Sequence, residues 1–215
     1  SQRRENVRFI PSAASGTLMP MNRITPHDRQ LVRNLASRVA ELAANPTEAA
    51  KIADWKRHNR FERGRALLVV RLEDVWAEFV PDASLQCTHP VLRDAERILR
   101  QRLYFAEHIR DDTPIDGTWD VWLKVSDPGY GFDEDMQQLA EAGHGRTGAK
   151  YCKVIPDGAD PDAWIKDREL IVDREGTQRE ADLMTDVLGD IMPVSIRGKQ
   201  GIWFTPVDTL AMYRG

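Results

Sequence analysis

Three groups of side chains in this sequence are of types that do chemistry. Arg71, Glu73 and Asp74 lie at the end of an apolar run. A guanidinium beside carboxylates suits binding of a charged substrate, and Glu73 becomes a candidate general acid or base if burial beside Trp76 raises its pKa. The same three residues also fit a solvated turn with Arg71 in a local ion pair. Arg197, flanked by Gly198 and Gly201, is a candidate for holding a carboxylate or phosphate with backbone close by, although the glycines equally suit a plain turn. Trp119 and Trp122 fall on opposite faces of one strand, so at most one faces a ligand. Trp119 is taken as the substrate-contacting candidate, and core packing is the plainer reading of each.

The remaining polar groups carry weaker signals. His144, set between Gly143 and Gly145, has the loop setting of a general base or ligand, but a lone loop histidine usually has no role. His27, His58, His89 and His108 lie on or at the starts of predicted helices, where capping and exposure explain them.

These residues depend on an alternation of helices and strands. Residues 1–24 have no periodic stripe and read as a flexible or surface-draped lead. Thr25-Pro26-His27-Asp28 opens a helix with a threonine cap, proline at its first position and an acid in its first turn. Asn45-Pro46 ends it, and Thr47 is expected to cap a second helix through Ile52, Trp55 and His58. The run 66–72, Ala-Leu-Leu-Val-Val-Arg-Leu, predicts a strand buried on both faces. His89-Pro90 starts a long helix to about residue 110 with Leu92, Ile98, Leu99, Leu103 and Ile109 inward. A strand is expected over Ile115–Val125, and a loop over 126–150 with a short helix around Met136–Ala140. There follow a short strand over Lys153–Pro156, a helix over Thr177–Leu188 stopped by Gly189, and a strand over Ile191–Ile196.

Of the 215 residues 30 are basic and 34 acidic, a net charge of −4 with the signs interleaved, which disfavours nucleic acid as a partner. No apolar window approaches the roughly 18 residues of a membrane span, and the start lacks the apolar core of a secretory signal, so no membrane partner and a cytoplasmic location are expected. Cys87 and Cys152 stand in unrelated contexts and read as reduced thiols.

Several stretches resemble the uroporphyrinogen decarboxylase-like superfamily, especially its branch of corrinoid-dependent methyltransferases and demethylases. They are Trp55-Lys56-Arg57-His58-Asn59, the run Leu85–Pro90 leading into a helix with Glu96 and Arg100, Gly189–Gly198, and above all Trp203–Gly215. The resemblance extends over residues 25–215 and implies a partial (β/α)8, TIM-barrel-like α/β fold: the amino-terminal half of a barrel, with leading helices, since a whole barrel needs about 250 residues.

It further implies an enzyme active in methyl transfer or O-demethylation on a small-molecule substrate. A corrinoid (cobalamin) would be carried by a partner protein, and zinc by a His-x-Cys pair and a later Cys in the other half of the barrel. Cys87-x-His89 has those residue types in reverse order, just before a proline-started helix, where a loop or cap role fits better. No cofactor is assigned to this chain alone. The decarboxylase itself uses an early arginine cluster, whereas the first strand here ends in the acids Glu73 and Asp74, which argues against porphyrinogen decarboxylation. A complementary barrel half or a homo-oligomer is expected, because half a barrel leaves an open sheet edge. The rival expectation is a non-catalytic binding or scaffold protein built on the same half-barrel sequence.

Overall fold

The structure is a computed structural model; it describes residues 23–72, 75–126, 135–138, 149–160, 170–198, 207 and 211–213. Helices and strands are mixed. In chain order they are α1 (Pro26–Ala43), α2 (Pro46–Asn59), α3 (Trp76–Phe79), a 3-10 turn (Asp82–Ser84), α4 (Pro90–His108), β1 (Trp119–Trp122), β2 (Lys124–Ser126), β3 (Asp135–Gln138), β4 (Ala149–Cys152), β5 (Ile171–Asp173), α5 (Arg174–Leu188) and β6 (Val194–Arg197). The chain divides into two compact units, Ser1–Thr118 with Val187–Pro193, and Trp119–Asp186 with Val194–Gly215.

The first unit is helical. Thr25 caps α1 as its sequence demands, its side chain accepting from Asp28 N at 3.0 Å. Val32, Leu35, Ala36 and Val39 form the buried stripe of α1, which packs on the stripe Leu92, Ala95, Leu99 and Leu103 of α4. The second helix is capped two residues earlier than expected. Asn45 rather than Thr47 is its cap, with Pro46 at the first position and Asn45 Oδ1 accepting from Thr47 N at 3.0 Å. Ile98, expected inward, is 39% exposed, because the buried stripe of α4 passes it by.

Residues 66–72 are not a strand. The apolar run lies on the surface, with Leu68 59% exposed, and its amides are taken by side chains instead of a neighbouring strand. Leu68 N donates to Asp112 Oδ2 at 2.8 Å and Val70 N to Asp111 Oδ2 at 2.9 Å, while Asp112 N returns a bond to Leu68 O. Asp112 is in turn bound by Arg65, which holds its carboxyl down at about 2.

In the second unit β1 and β6 pair in parallel, with Trp119 opposite Val194 and Trp122 opposite Arg197. Helix α5 lies between them in sequence, so β1, α5 and β6 have the connectivity of a crossover unit. Asp173 caps α5, its Oδ1 accepting from Gly176 N at 2.7 Å. A Cβ at residue 176 would lie 2.0 Å from Asp173 Oδ2, so any other residue there would make the capping side chain shift. The two other sheets, β2 with β5 and β3 with β4, are antiparallel pairs. Among the described residues every sheet has two strands and none closes into a barrel.

Three further expectations change. Residues 135–138 form β3 where a short helix was expected around Met136. Lys153–Pro156 is not a strand: the strand is β4, four residues earlier, and the amides of Val154 and Ile155 instead donate to Tyr213 O. The last strand begins at Val194, because Ile191 and Met192 turn back on Leu188 through backbone bonds of 2.8 and 2.9 Å. No helix among the described residues is long and apolar enough to cross a membrane.

Candidate functional site

Parallel strands present their carboxyl ends to ligands in barrels and open α/β sheets alike. Here those ends are Trp122 of β1 and Arg197 of β6, which face each other in register. Side chains alternate along a strand, so Asp120, Trp122, Ser195 and Arg197 share one face, and Trp119 and Val121 point to the other. The buried face is that of Trp119, 6% exposed, and Val121. Trp122 is 46% exposed. Of the two tryptophans it is therefore Trp122, not the candidate Trp119, that lies on the open face with Arg197.

Arg197 Nε donates to Asp120 Oδ1 at 3.0 Å. One of the five donors of the guanidinium is thus committed to orienting it, and the side chain remains about half exposed. A cation held by a carboxylate, beside an exposed indole at the end of parallel strands, is suited to receiving an anionic or aromatic group. At Gly198 a Cβ would meet nothing within 4 Å, so neither crowding nor backbone strain demands glycine there.

No protein-family model, curated protein or solved structure matches the chain. The site must be read from its own residues.

Arg71 lies in the first unit, lining a groove along α4 with Trp76, Ile98, Arg102 and Phe105. Glu73 and Asp74, and likewise His144 and Gly201, lie outside the described residues.

Sequence reading missed the most polar part of the first core. Glu96 is wholly buried, and its carboxylate accepts from Gln86 N at 2.9 Å, Cys87 N at 2.8 Å and Arg100 Nε at 2.8 Å. Asp28, also wholly buried, accepts from Thr88 N at 3.2 Å, Thr88 Oγ1 at 3.0 Å and His89 N at 3.0 Å. Burial opposes ionisation of both acids, yet these hydrogen bonds outweigh it and hold both carboxyls below their ordinary range. The signal was present in the spacing. Asp28 continues the stripe Val32, Leu35, Val39, and Glu96 sits within the stripe Leu92, Leu99, Leu103, so each acid occupies a core-facing helical position.

This arrangement also settles the Cys87-x-His89 pair. Burial, reinforced by the charge of Glu96, pushes the Cys87 thiol up to about 12, the opposite of what a thiolate ligand requires. Among the described residues no group of three His, Cys, Asp or Glu side chains is placed to hold a metal ion. Cys87 and His89 do not fit a zinc site.

Proposed function

We propose that the chain supplies the amino-terminal half of a uroporphyrinogen decarboxylase-like barrel enzyme, acting in methyl transfer or O-demethylation with a corrinoid protein. The observation that carries this reading is the parallel pairing of β1 and β6 with α5 between them in sequence, which places Arg197 at the carboxyl end of its strand. Barrels are assembled from such units, and their functional groups project from those ends. In this reading Arg197 orients an anionic group of the substrate, and Asp120 positions Arg197. Glu73 is the acid or base that the sequence alone suggests. Zinc and corrinoid chemistry belong to the complementary half and the partner, since Cys87 and His89 do not fit a metal.

The need for a complement has its own support. A parallel sheet of two strands is small, and Trp122 and Ile196 leave apolar surface exposed on it, as do Ile171 and Val172 on the β2–β5 pair. Further strands would cover such surface.

The decisive assay is demethylation of methylcobalamin by a free thiol, with this chain joined to a segment carrying the remaining barrel strands. Acceleration that is lost in Arg197→Met supports the reading. An assembled protein that gives no acceleration favours the non-catalytic scaffold.

A further inference from the structure

Helix α2 ends in a turn that is exposed without a break from Lys56 to Ala66. The helix is closed by a Schellman motif, in which Phe61 N donates to His58 O at 2.9 Å and Glu62 N to Arg57 O at 3.2 Å. The residue after the cap must be left-handed, and Phe61 has a φ of 57°. Glycine or asparagine adopts that conformation readily, whereas a phenylalanine is strained in it. Burial of the ring could offset the strain, yet Phe61 is 97% exposed. The two positions whose apolar contact often supports such a motif are Arg57 and Glu62, so the ring has no part in that either. Closing the helix does not explain Phe61.

Cations flank the ring on both sides in sequence: Lys56, Arg57 and Arg60 before it, Arg63 and Arg65 after it. The carboxylates bonded to these five are three. Asp54 takes Arg57 at 2.7 Å and Arg65 at 3.4 Å, Asp112 takes Arg65, and Glu62 lies 4.0 Å from Arg60. Among the described residues the side chains of Lys56 and Arg63 engage no hydrogen bond or ion pair. The helix dipole favours cations in the last turn of α2, but it does not reach Arg63. We propose that this turn docks on an anionic phospholipid surface, with Phe61 entering the headgroup layer and Lys56 and Arg63 meeting lipid phosphates. Near-complete exposure puts the ring on a convex tip rather than in a channel that would track a nucleic-acid strand, and a plane of headgroups can receive a tip. Such peripheral contact needs no spanning helix, and it is independent of methyl transfer.

The test is flotation of the full chain with vesicles of phosphatidylcholine alone or with about 40% phosphatidylserine, in about 0.1 M salt. Partition onto the anionic vesicles should be at least about tenfold greater and should fall away in about 1 M salt. Phe61→Gly should lower it about tenfold without lowering the urea midpoint, because glycine suits the left-handed position. Lys56→Gln combined with Arg63→Gln should also lower it about tenfold, with the ion pairs of Arg57 and Arg65 untouched. Equal partition onto both kinds of vesicle, or unaltered partition in either variant, would overturn the proposal. So would a lower urea midpoint in Phe61→Gly, which would give the ring a structural role. Binding of a single-stranded oligouridine that is lost in Phe61→Gly, with no binding of vesicles, would assign the turn to nucleic acid instead.

Discussion

Asp28 of α1 and Glu96 of α4 between them receive the four consecutive backbone amides of Gln86, Cys87, Thr88 and His89. The segment leading into α4 thus gets from two buried carboxylates the hydrogen bonds that a strand or cap would otherwise provide. His89 makes no capping bond with its side chain, and its own amide is held by Asp28 of another helix.

Replacing Glu96 by Gln should therefore be costly. The amide keeps the shape but removes the charge facing Arg100 and turns an NH2 group toward backbone donors. A loss of about 3 kcal/mol is expected, read as a lower urea midpoint at unchanged slope. A change within about 0.5 kcal/mol, the usual effect of a surface substitution, would show that the network contributes little.

Acid should act through the same pair. Both folded pKa values are depressed below the ordinary 3.8 of Asp28 and 4.5 of Glu96, so their stabilisation is complete above those values and is lost as pH falls through the folded ones. The melting temperature should drop as pH is lowered from about 4.5, and Glu96→Gln should drop less steeply because one titrating group is gone. Parallel curves for the two proteins would assign acid sensitivity to other carboxylates.

Cys87 should be chemically silent in the native state. It is 1% exposed with its thiol near 12, whereas Cys152 is partly exposed. Iodoacetamide at pH 8 should label Cys152 alone, and Cys87 only in denaturant. Rapid native labelling of Cys87 would mean that the Gln86–His89 segment opens freely.

The two tryptophans of β1 should separate cleanly. Trp119→Ala removes a buried ring and should cost about 3–5 kcal/mol, while Trp122→Ala should cost under about 1 kcal/mol. Equal costs would place both rings in the core.

Much of the helical half was legible in the sequence, because caps and apolar stripes are local: Thr25-Pro26 starts α1, and Leu92, Leu99 and Leu103 define the buried side of α4. The run 66–72 was misread for a physical reason. Its composition shows that it favours extended, buried backbone, but not which groups will meet its amides, and Asp111 and Asp112 do so from across the unit. At the β1–β6 site the alternation of Trp119 and Trp122 was visible, but which face is buried depends on packing. The pairing of Arg197 with Asp120 joins residues distant in sequence and had no local signal.

The most direct test of the half-barrel account is the mass of the folded chain in solution. Size-exclusion chromatography with light scattering should give at least twice the mass of a single chain, as surface left apolar on Trp122, Ile171 and Ile196 is covered by a second copy or a complementary segment. A cooperative, well-folded monomer at high concentration would contradict the account.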